Sequence, residues 1–289
     1  MSLLHLVQEH DAVGSAPHRL RELTALLVAD VSRGRSDQAR REFARQLAAT
    51  GHDLVLVARS TARLTALADS LHTTFGISAE VLPADLGNYD AVRAVAGRLA
   101  SASSPISLLV NNAGFGLGQD FVGGSLEREL AGLDVMVRAV LVLSHAAAGA
   151  MKERGRGAII NVSSMTALTA QGTYSAHKAW VRTFTEGLAA ELVGTGVAAT
   201  AVCPGLIRTE FHERSHVDAS QWPDVVFAEP ADVVGAALDA ARRGRVLVTP
   251  TAMYKTAAGI MKLMPRALVR KVAGPGLSGR EARRWPIAE

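Results

Sequence analysis

The sequence predicts an α/β fold in which a doubly wound parallel sheet is covered by helices on both faces. From Thr24 onward, short apolar runs alternate with amphipathic segments of helical length. Of the 289 residues, 48% are hydrophobic, which suffices for a large core in a single domain. Strands joined by helices pair in parallel through right-handed crossovers. Such sheets bind ligands at the carboxyl ends of their strands, and we expect the site there.

Seven apolar runs have the length of buried strands. They cover Thr24 to Val31, His52 to Ala58, Ser78 to Ala84, Ile106 to Asn112, Gly157 to Ser164, Gly196 to Pro204 and Arg245 to Pro250. Five segments between them have a helical apolar pattern, at Gln38 to Thr50, Arg63 to His72, Tyr89 to Ala100, Leu126 to Lys152 and Thr173 to Leu192. The domain is therefore predicted over residues 23–250, with an N-terminal arm over 1–22 and an amphipathic helical extension over 251–289.

Composition and charge exclude several classes of protein. The net charge is only +4, and no aromatic platform or motif of a nucleic-acid-binding protein accompanies the basic residues after Arg242. The single cysteine, Cys203, cannot form an intramolecular disulfide, and the N-terminus lacks the zones of a signal peptide. We expect a cytoplasmic protein. Charges interrupt the apolar runs before the roughly 18 residues of a membrane span, so no transmembrane segment is expected.

The clearest chemical signal follows the fifth apolar run. Tyr174 and Lys178 are four residues apart on a predicted helix, so their side chains share one face. A neighbouring ammonium favours the phenolate and lowers the pKa of the tyrosine from about 10 towards the range of a working proton donor. Ser164, at the end of the preceding run, can hold a substrate oxygen. The structural alternative is that the two side chains are simply a surface pair on an amphipathic helix.

This arrangement of a serine followed by Tyr-x-x-x-Lys resembles the short-chain dehydrogenase/reductase family, from about Thr24 to about Val248. Further segments match the family's motifs in order: Asp85-Leu86 beside the adenine, Asn111-Asn112-Ala113-Gly114 at the cofactor cleft, and Pro204-Gly205 with Thr209 beside the nicotinamide. The resemblance implies a Rossmann-like sheet and a nicotinamide dinucleotide. It also implies that Tyr174 transfers the proton, that Ser164 hydrogen-bonds the substrate oxygen, and that Lys178 tunes the tyrosine and binds the ribose.

The phosphate-binding turn departs from the family's pattern of three glycines. Asp30 stands at the first glycine, Gly34 keeps the second and Ser36 stands at the third. The carboxylate of Asp30 would repel a pyrophosphate. Arg33 and Arg35 supply positive charge that can hold the phosphates through their side chains. The predicted phosphate-binding residues are Ser32, Arg33, Gly34 and Arg35.

Arg59 ends the second strand, where an NAD-binding protein carries an acidic residue, so the predicted cofactor is NADP(H). A solvated arginine is the alternative role for this side chain.

Two more departures concern the catalytic residues. Met136 stands where the family usually has an asparagine that anchors a water relay to the lysine, and a thioether cannot replace an amide in hydrogen bonding. The loop from Ser164 to Tyr174 is about three residues shorter than is usual, with Ser163 as the alternative serine. His177 is expected to have a structural or subunit-interface role.

The C-terminal third carries a predicted lid and a basic, apolar extension. The lid is expected at about residues 205–230, and within it His212 and His216 have a metal-binding spacing but no third ligand, so no metal is predicted. The segment from Ala252 to Val272 interleaves apolar and basic residues. We expect it to pack on its own domain or cap an apolar substrate pocket, with contact to an anionic membrane as the alternative.

These observations leave alternative functions. The first is NADP(H)-dependent oxidoreduction of a ketone or secondary alcohol on a hydrophobic small molecule. In the second, the fold has lost its dinucleotide and uses Tyr174, Ser164 and Lys178 for isomerisation, dehydration or cyclisation. A noncatalytic binding protein is the third. The family resemblance also implies a homodimer or homotetramer.

Overall fold

A seven-stranded parallel sheet forms the centre of the computed structural model, which describes residues 24–28, 36–207 and 226–274. The strands are β1 Thr24–Val28, β2 Asp53–Ala58, β3 Ala79–Pro83, β4 Leu108–Asn111, β5 Gly157–Val162, β6 Val197–Val202 and β7 Leu247–Val248. Their spatial order is β3-β2-β1-β4-β5-β6-β7. Because β1 pairs with β2 on one side and with β4 on the other, the order reverses there and a crevice opens at the carboxyl ends. The predicted fold class is confirmed.

Helices cover both faces of this sheet. They are α1 Ser36–Ala49, α2 Thr61–Phe75, α3 Tyr89–Ala100, α4 Leu126–Leu133, α5 Ala139–Arg154, α6 Thr173–Glu191, α7 Pro230–Arg242, α8 Ala252–Leu263 and α9 Arg266–Val272. One hydrophobic cluster joins the sheet to α1, α2 and α7, and a second joins it to α3 and α5. The strands therefore carry buried side chains on both faces, which explains their nearly continuous apolar runs.

Several helices differ from the sequence prediction. Helix α1 begins at Ser36 and helix α2 at Thr61, each two residues before the predicted start. Helix α7, over Pro230–Arg242, was missed, although the sequence shows Pro at its first turn and apolar residues at helical spacing, six of which are buried. The predicted extension over Ala252 to Val272 is two helices, because Pro265 cannot continue the hydrogen-bond pattern of α8.

The long helix predicted from Leu126 to Lys152 contains a π turn, Asp134–Arg138, between α4 and α5. Such turns widen a helix by one residue and often lie at functional sites. The whole helix, Leu126–Arg154, has 29 residues, and an 18-residue stretch within it has a mean hydropathy of 1.6, so it meets the length and composition of a membrane span, contrary to the expectation of shorter apolar runs. Its buried side, which includes Met136 and Leu143, packs in the core of the domain.

Some predictions fall outside the described residues. These are the N-terminal arm, the phosphate-binding turn with Asp30, Ser32, Arg33, Gly34 and Arg35, most of the predicted lid with Thr209, His212 and His216, and the last fifteen residues. They stay predictions. Within the described residues, no three His, Cys, Asp or Glu side chains come close enough together to hold a metal ion.

Candidate active site

Tyr174 and Lys178 lie in the first two turns of α6, at the carboxyl edge of β5. The Nζ atom of Lys178 is 5.8 Å from the centroid of the Tyr174 ring, so the predicted pair shares one face of the helix. Lys178 is only 4% exposed, and its ammonium donates a hydrogen bond of 2.8 Å to the carbonyl oxygen of Val162 at the end of β5. Burial lowers the pKa of Lys178 from 10.5 to about 8, and nearby Cys203 opposes this shift.

The two candidate serines have different surroundings. The hydroxyl of Ser163 is buried and donates a hydrogen bond of 2.6 Å to the backbone carbonyl of Lys178, which fixes the catalytic helix to the strand end. Ser164 is half-buried, and its Oγ accepts a hydrogen bond from the N–H of Thr166 at 3.1 Å, capping a short 3₁₀ helix, Met165–Leu168. No acceptor among the described residues takes its hydroxyl proton, which can therefore be donated to a ligand. The geometry therefore favours Ser164 over Ser163 as the serine that can hold a substrate oxygen.

The shortened loop is tied to both neighbouring elements. The N–H of Met165 donates to the carbonyl of Pro204 at 2.8 Å, so the Ser164 segment lies directly beside the Pro204-Gly205 turn. At the other end of the loop, the hydroxyl groups of Thr169 and Ser175 are 2.9 Å apart. The loop is thus held at its start by the β6 turn and at its end by the first turn of α6.

A buried carboxylate anchors the start of the catalytic helix. The N-cap residue of α6, Gly172, has no side chain with which to cap the helix. Glu129 of α4 accepts a hydrogen bond of 2.6 Å from the hydroxyl of Thr173, the residue before Tyr174, and another of 2.9 Å from Gln119. A negative charge at a helix N-terminus is favourable. The sequence analysis missed this anchor, because Glu129 and Thr173 are 44 residues apart.

Met136 lies near both Lys178 and His177, beside two glycines. A Cβ atom on Gly114 would lie 3.2 Å from Nζ of Lys178 and 3.4 Å from Sδ of Met136, so a larger residue there would require these two side chains to shift. On its other side, the methyl group of Met136 and the ring of His177 both approach Gly132. The Met136 side chain is completely buried. The side chain near Lys178 is therefore a thioether, which cannot relay a proton.

The remaining predicted cofactor residues lie at the carboxyl edge of the sheet. Arg59 and Asp85 follow β2 and β3 and are exposed, whereas Leu86 is buried. Asn112 and Ala113 follow β4 and are buried, and the N–H of Asn112 donates to the carbonyl of Val28 at 3.0 Å. Pro204 and Gly205 follow β6. The described residues of the predicted site thus follow five strands that end at the same edge of the sheet, where the crevice opens.

Tyr254 of α8 holds the turn at Gly205 in place. Its hydroxyl accepts a hydrogen bond of 2.9 Å from the N–H of Leu206 and donates one of 2.7 Å to the carbonyl of Val226. Its ring lies so close to Gly205 that any Cβ atom there would overlap it. Thr251, which caps α8, has φ 67 and ψ 145, a strained conformation for a threonine. No local sequence signal marks Tyr254, and the sequence analysis missed it.

Comparisons with known proteins agree with this fold. The family model of the short chain dehydrogenases matches residues 40–219. Galactitol 2-dehydrogenase (L-tagatose-forming) of Cereibacter sphaeroides is 32% identical over 230 residues, which are 75% of this chain and 86% of the relative. Sulfoacetaldehyde reductase 2 of Chromohalobacter salexigens is 35% identical over 176 residues, which are 59% and 69%.

Solved structures give the same result. A short-chain dehydrogenase from Sphingobium yanoikuyae in complex with NADPH superposes with a TM-score of 0.71 at 31% identity, covering 85% of this chain and 97% of that one. The bulky-bulky ketone specific alcohol dehydrogenase from Comamonas testosteroni has a TM-score of 0.69 at 26% identity, covering 85% and 96%. The chain therefore belongs to the short-chain dehydrogenase/reductase family of oxidoreductases.

Proposed function

We propose that this protein catalyses the NADP(H)-dependent interconversion of a ketone and a secondary alcohol on a hydrophobic small molecule. The observation that carries the proposal is the buried ammonium of Lys178 beside the ring of Tyr174 at the carboxyl edge of the sheet. The NADPH complex of the Sphingobium relative and the ketone specificity of the Comamonas relative support it.

The described residues fit a nicotinamide dinucleotide. An ammonium has three N–H donors, and Lys178 uses one of them, to Val162, within the described part of the chain. The amide nitrogen of Asn112 is likewise buried with no partner among the described residues. Because buried donors are normally paired, these two groups suit the hydroxyl and carbonyl groups of a bound nucleotide. Lys178 would hold the ribose, and Arg59 would pair with the 2′-phosphate of NADP(H).

Residues of this chain would transfer the proton to and from the substrate oxygen. When bound, the dinucleotide donates or accepts the hydride. Tyr174 would give its phenolic proton to the substrate oxygen during reduction and take it back during oxidation. Ser164 would donate its free hydroxyl proton to the same oxygen. The positive charge of Lys178 would stabilise the phenolate that remains on Tyr174.

Two features favour the redox-neutral alternative. Met136 stands where the family's relay asparagine would resupply protons to Lys178, and Asp30 stands at a phosphate-binding glycine. An isomerisation or dehydration at Tyr174 returns its proton within one catalytic cycle and therefore needs no such relay. The two candidates differ in whether the protein binds a dinucleotide.

The test is a calorimetric titration of purified, cofactor-stripped protein with NADPH and with NADH. We expect micromolar NADPH binding, about 8 kcal/mol, together with ketone reduction that disappears in Tyr174→Phe. This variant loses the phenolic proton and keeps the ring, so NADPH binding should survive in it. Absence of binding in the native protein, with a gain in Asp30→Gly, would overturn the redox proposal and favour the cofactor-independent reaction.

A further inference from the structure

Helices α8 and α9 carry a surface of unusual composition, which we name the C-terminal face. Among residues 251–274, five are basic and none is acidic. All five cations are exposed: Lys255, Lys262, Arg266, Arg270 and Lys271. Arg266 also donates to the carbonyl of Leu168 at 3.0 Å. The five positive charges of this region therefore exceed the net charge of the whole chain, which is +4.

The inward-facing side of these helices already packs against the domain. Tyr254 and Ala258 of α8 lie against the domain, as do Val269 of α9 and Ala273 beyond it. The N–H of Ala170, in the loop after Ser164, donates to the carbonyl of Ala273 at 3.0 Å. This packing is what the amphipathic pattern predicted, and it leaves the outer side of the helices without a protein partner in the described chain.

The outer side is apolar as well as basic. Leu263 is 88% exposed and Ile260 is 57% exposed, and three further large apolar side chains are partly exposed, namely Met253, Leu268 and Val272. Leu263 occupies the corner between the two helices, directly after Lys262. A helix that only packed inward would carry polar residues at these positions. Solvent-exposed leucine beside exposed lysine is the pattern of helices that lie on lipid.

We propose that the C-terminal face docks on an anionic lipid bilayer. Its leucine and isoleucine side chains would enter the acyl boundary, and its lysine and arginine side chains would meet the lipid phosphates. A second copy of the chain fits this face poorly, because a two-fold contact would bring two acid-free basic surfaces together. A nucleic acid would use the cations and leave the leucines in water. This inference does not depend on the proposed hydride chemistry.

The experiment measures sedimentation of the full-length protein with phosphatidylglycerol vesicles and with phosphatidylcholine vesicles. We expect at least about ten-fold stronger partitioning onto the anionic vesicles, with a clear loss at high salt because screening weakens the attraction. Leu263→Glu and Lys262→Glu should each reduce this partitioning about five-fold or more.

Two control variants match these changes elsewhere on the surface. Val193→Glu alters a side chain that is 80% exposed beyond α6, and Lys152→Glu changes the net charge as Lys262→Glu does. Both should partition as the native protein does. Sedimentation with neither vesicle, equal sedimentation with both, or equal losses in the control variants would overturn the proposal. A change of mass in light scattering for Leu263→Glu, without vesicle binding, would assign the face to a second copy.

Discussion

The ammonium of Lys178 is a charge held in an apolar setting without a carboxylate beside it in the described structure. Among the described residues only the carbonyl of Val162 accepts from it, and Gly114 and the buried side chain of Met136 lie nearby. Burying a charge under these conditions costs folding free energy, which is why its pKa falls to about 8. The residue that prepares the site for a ligand therefore destabilises the ligand-free protein.

This cost should depend on pH in a defined direction. Between the folded pKa of about 8 and the unfolded value of 10.5, the unfolded chain binds more protons, so stability rises with pH there. Lys178→Met removes the effect. In urea unfolding of the ligand-free proteins, the free energy of unfolding of Lys178→Met minus that of the native protein should fall by about 2 kcal/mol from pH 7 to pH 10. A constant or growing difference would contradict the buried charge.

Arg59 provides the test of cofactor choice at a single residue. It follows β2, where the 2′-position of a bound dinucleotide is expected. Replacing it with alanine removes a charge-assisted hydrogen bond to the 2′-phosphate, worth about 1.5–3 kcal/mol. Arg59→Ala should therefore weaken NADPH binding at least about ten-fold in calorimetry and leave NADH binding unchanged. An equal loss for both nucleotides would mean that Arg59 serves the fold and not the phosphate.

Much of the candidate site was predictable, because its signals are local. Tyr174 and Lys178 share one helix turn, and the strand-end residues Asn112 and Gly205 lie in recognisable motifs. The anchor from Glu129 to Thr173 and the bonds of Tyr254 join residues far apart in sequence, so no spacing could indicate them. The choice of Ser164 over Ser163 required the structure, in which the hydroxyl of Ser163 already donates to the backbone carbonyl of Lys178.

At the scale of elements, α8 is the helix on which the geometry of the β6 turn depends. Through Tyr254 it reaches both Leu206 and Val226, which flank the undescribed residues 208–225. The two described segments on either side of residues 208–225 also contact each other directly. The N–H of Ala228 donates a hydrogen bond of 2.8 Å to the carbonyl of Leu206. The family resemblance places the nicotinamide beside this turn. Helix α8 thus supports the site without supplying a group to the reaction.

Removing one oxygen atom tests this support. Tyr254→Phe keeps the ring against Gly205 but leaves the N–H of Leu206 and the carbonyl of Val226 without their partner. We expect a loss of about 1–3 kcal/mol in the free energy of unfolding and faster hydrogen exchange at the Leu206 amide. Tyr89→Phe, at a tyrosine that is 49% exposed, is the control and should change neither quantity. Unchanged exchange at Leu206 in Tyr254→Phe would exclude the support role.

At the scale of the whole molecule, the alternation of apolar runs and amphipathic segments was enough to predict the sheet. Buried strands such as β1 and β2 are apolar on both faces because helices cover both. The π turn at Asp134–Arg138 was not predictable, since it leaves the apolar pattern of the long helix continuous. Pro265 is visible in the sequence, but the sequence analysis did not conclude from it that the extension divides into two helices.

The outer faces of α4, α5 and α6 lead to a prediction about assembly. Four leucines of the first two helices are between 42% and 63% exposed: Leu126, Leu130, Leu133 and Leu141. On α6, the rings of Trp180 and Phe184 stack at 4.7 Å. We propose that a second copy covers these faces, as the family resemblance implies. Light scattering should give a dimer or tetramer for the native protein and for Ile260→Glu, and a smaller species for Leu130→Glu. A monomeric native protein would contradict it.

The position of Tyr254 in the chain has a practical consequence for shortened forms of this protein. The family match ends at residue 219, and the last strand ends at Val248. A form that stopped at Pro250 would keep every strand of the sheet together with Ser164, Tyr174 and Lys178. It would lack the hydroxyl group that bonds Leu206 and Val226. The smallest fragment with a native β6 turn therefore extends into α8, beyond the boundary that the family match suggests.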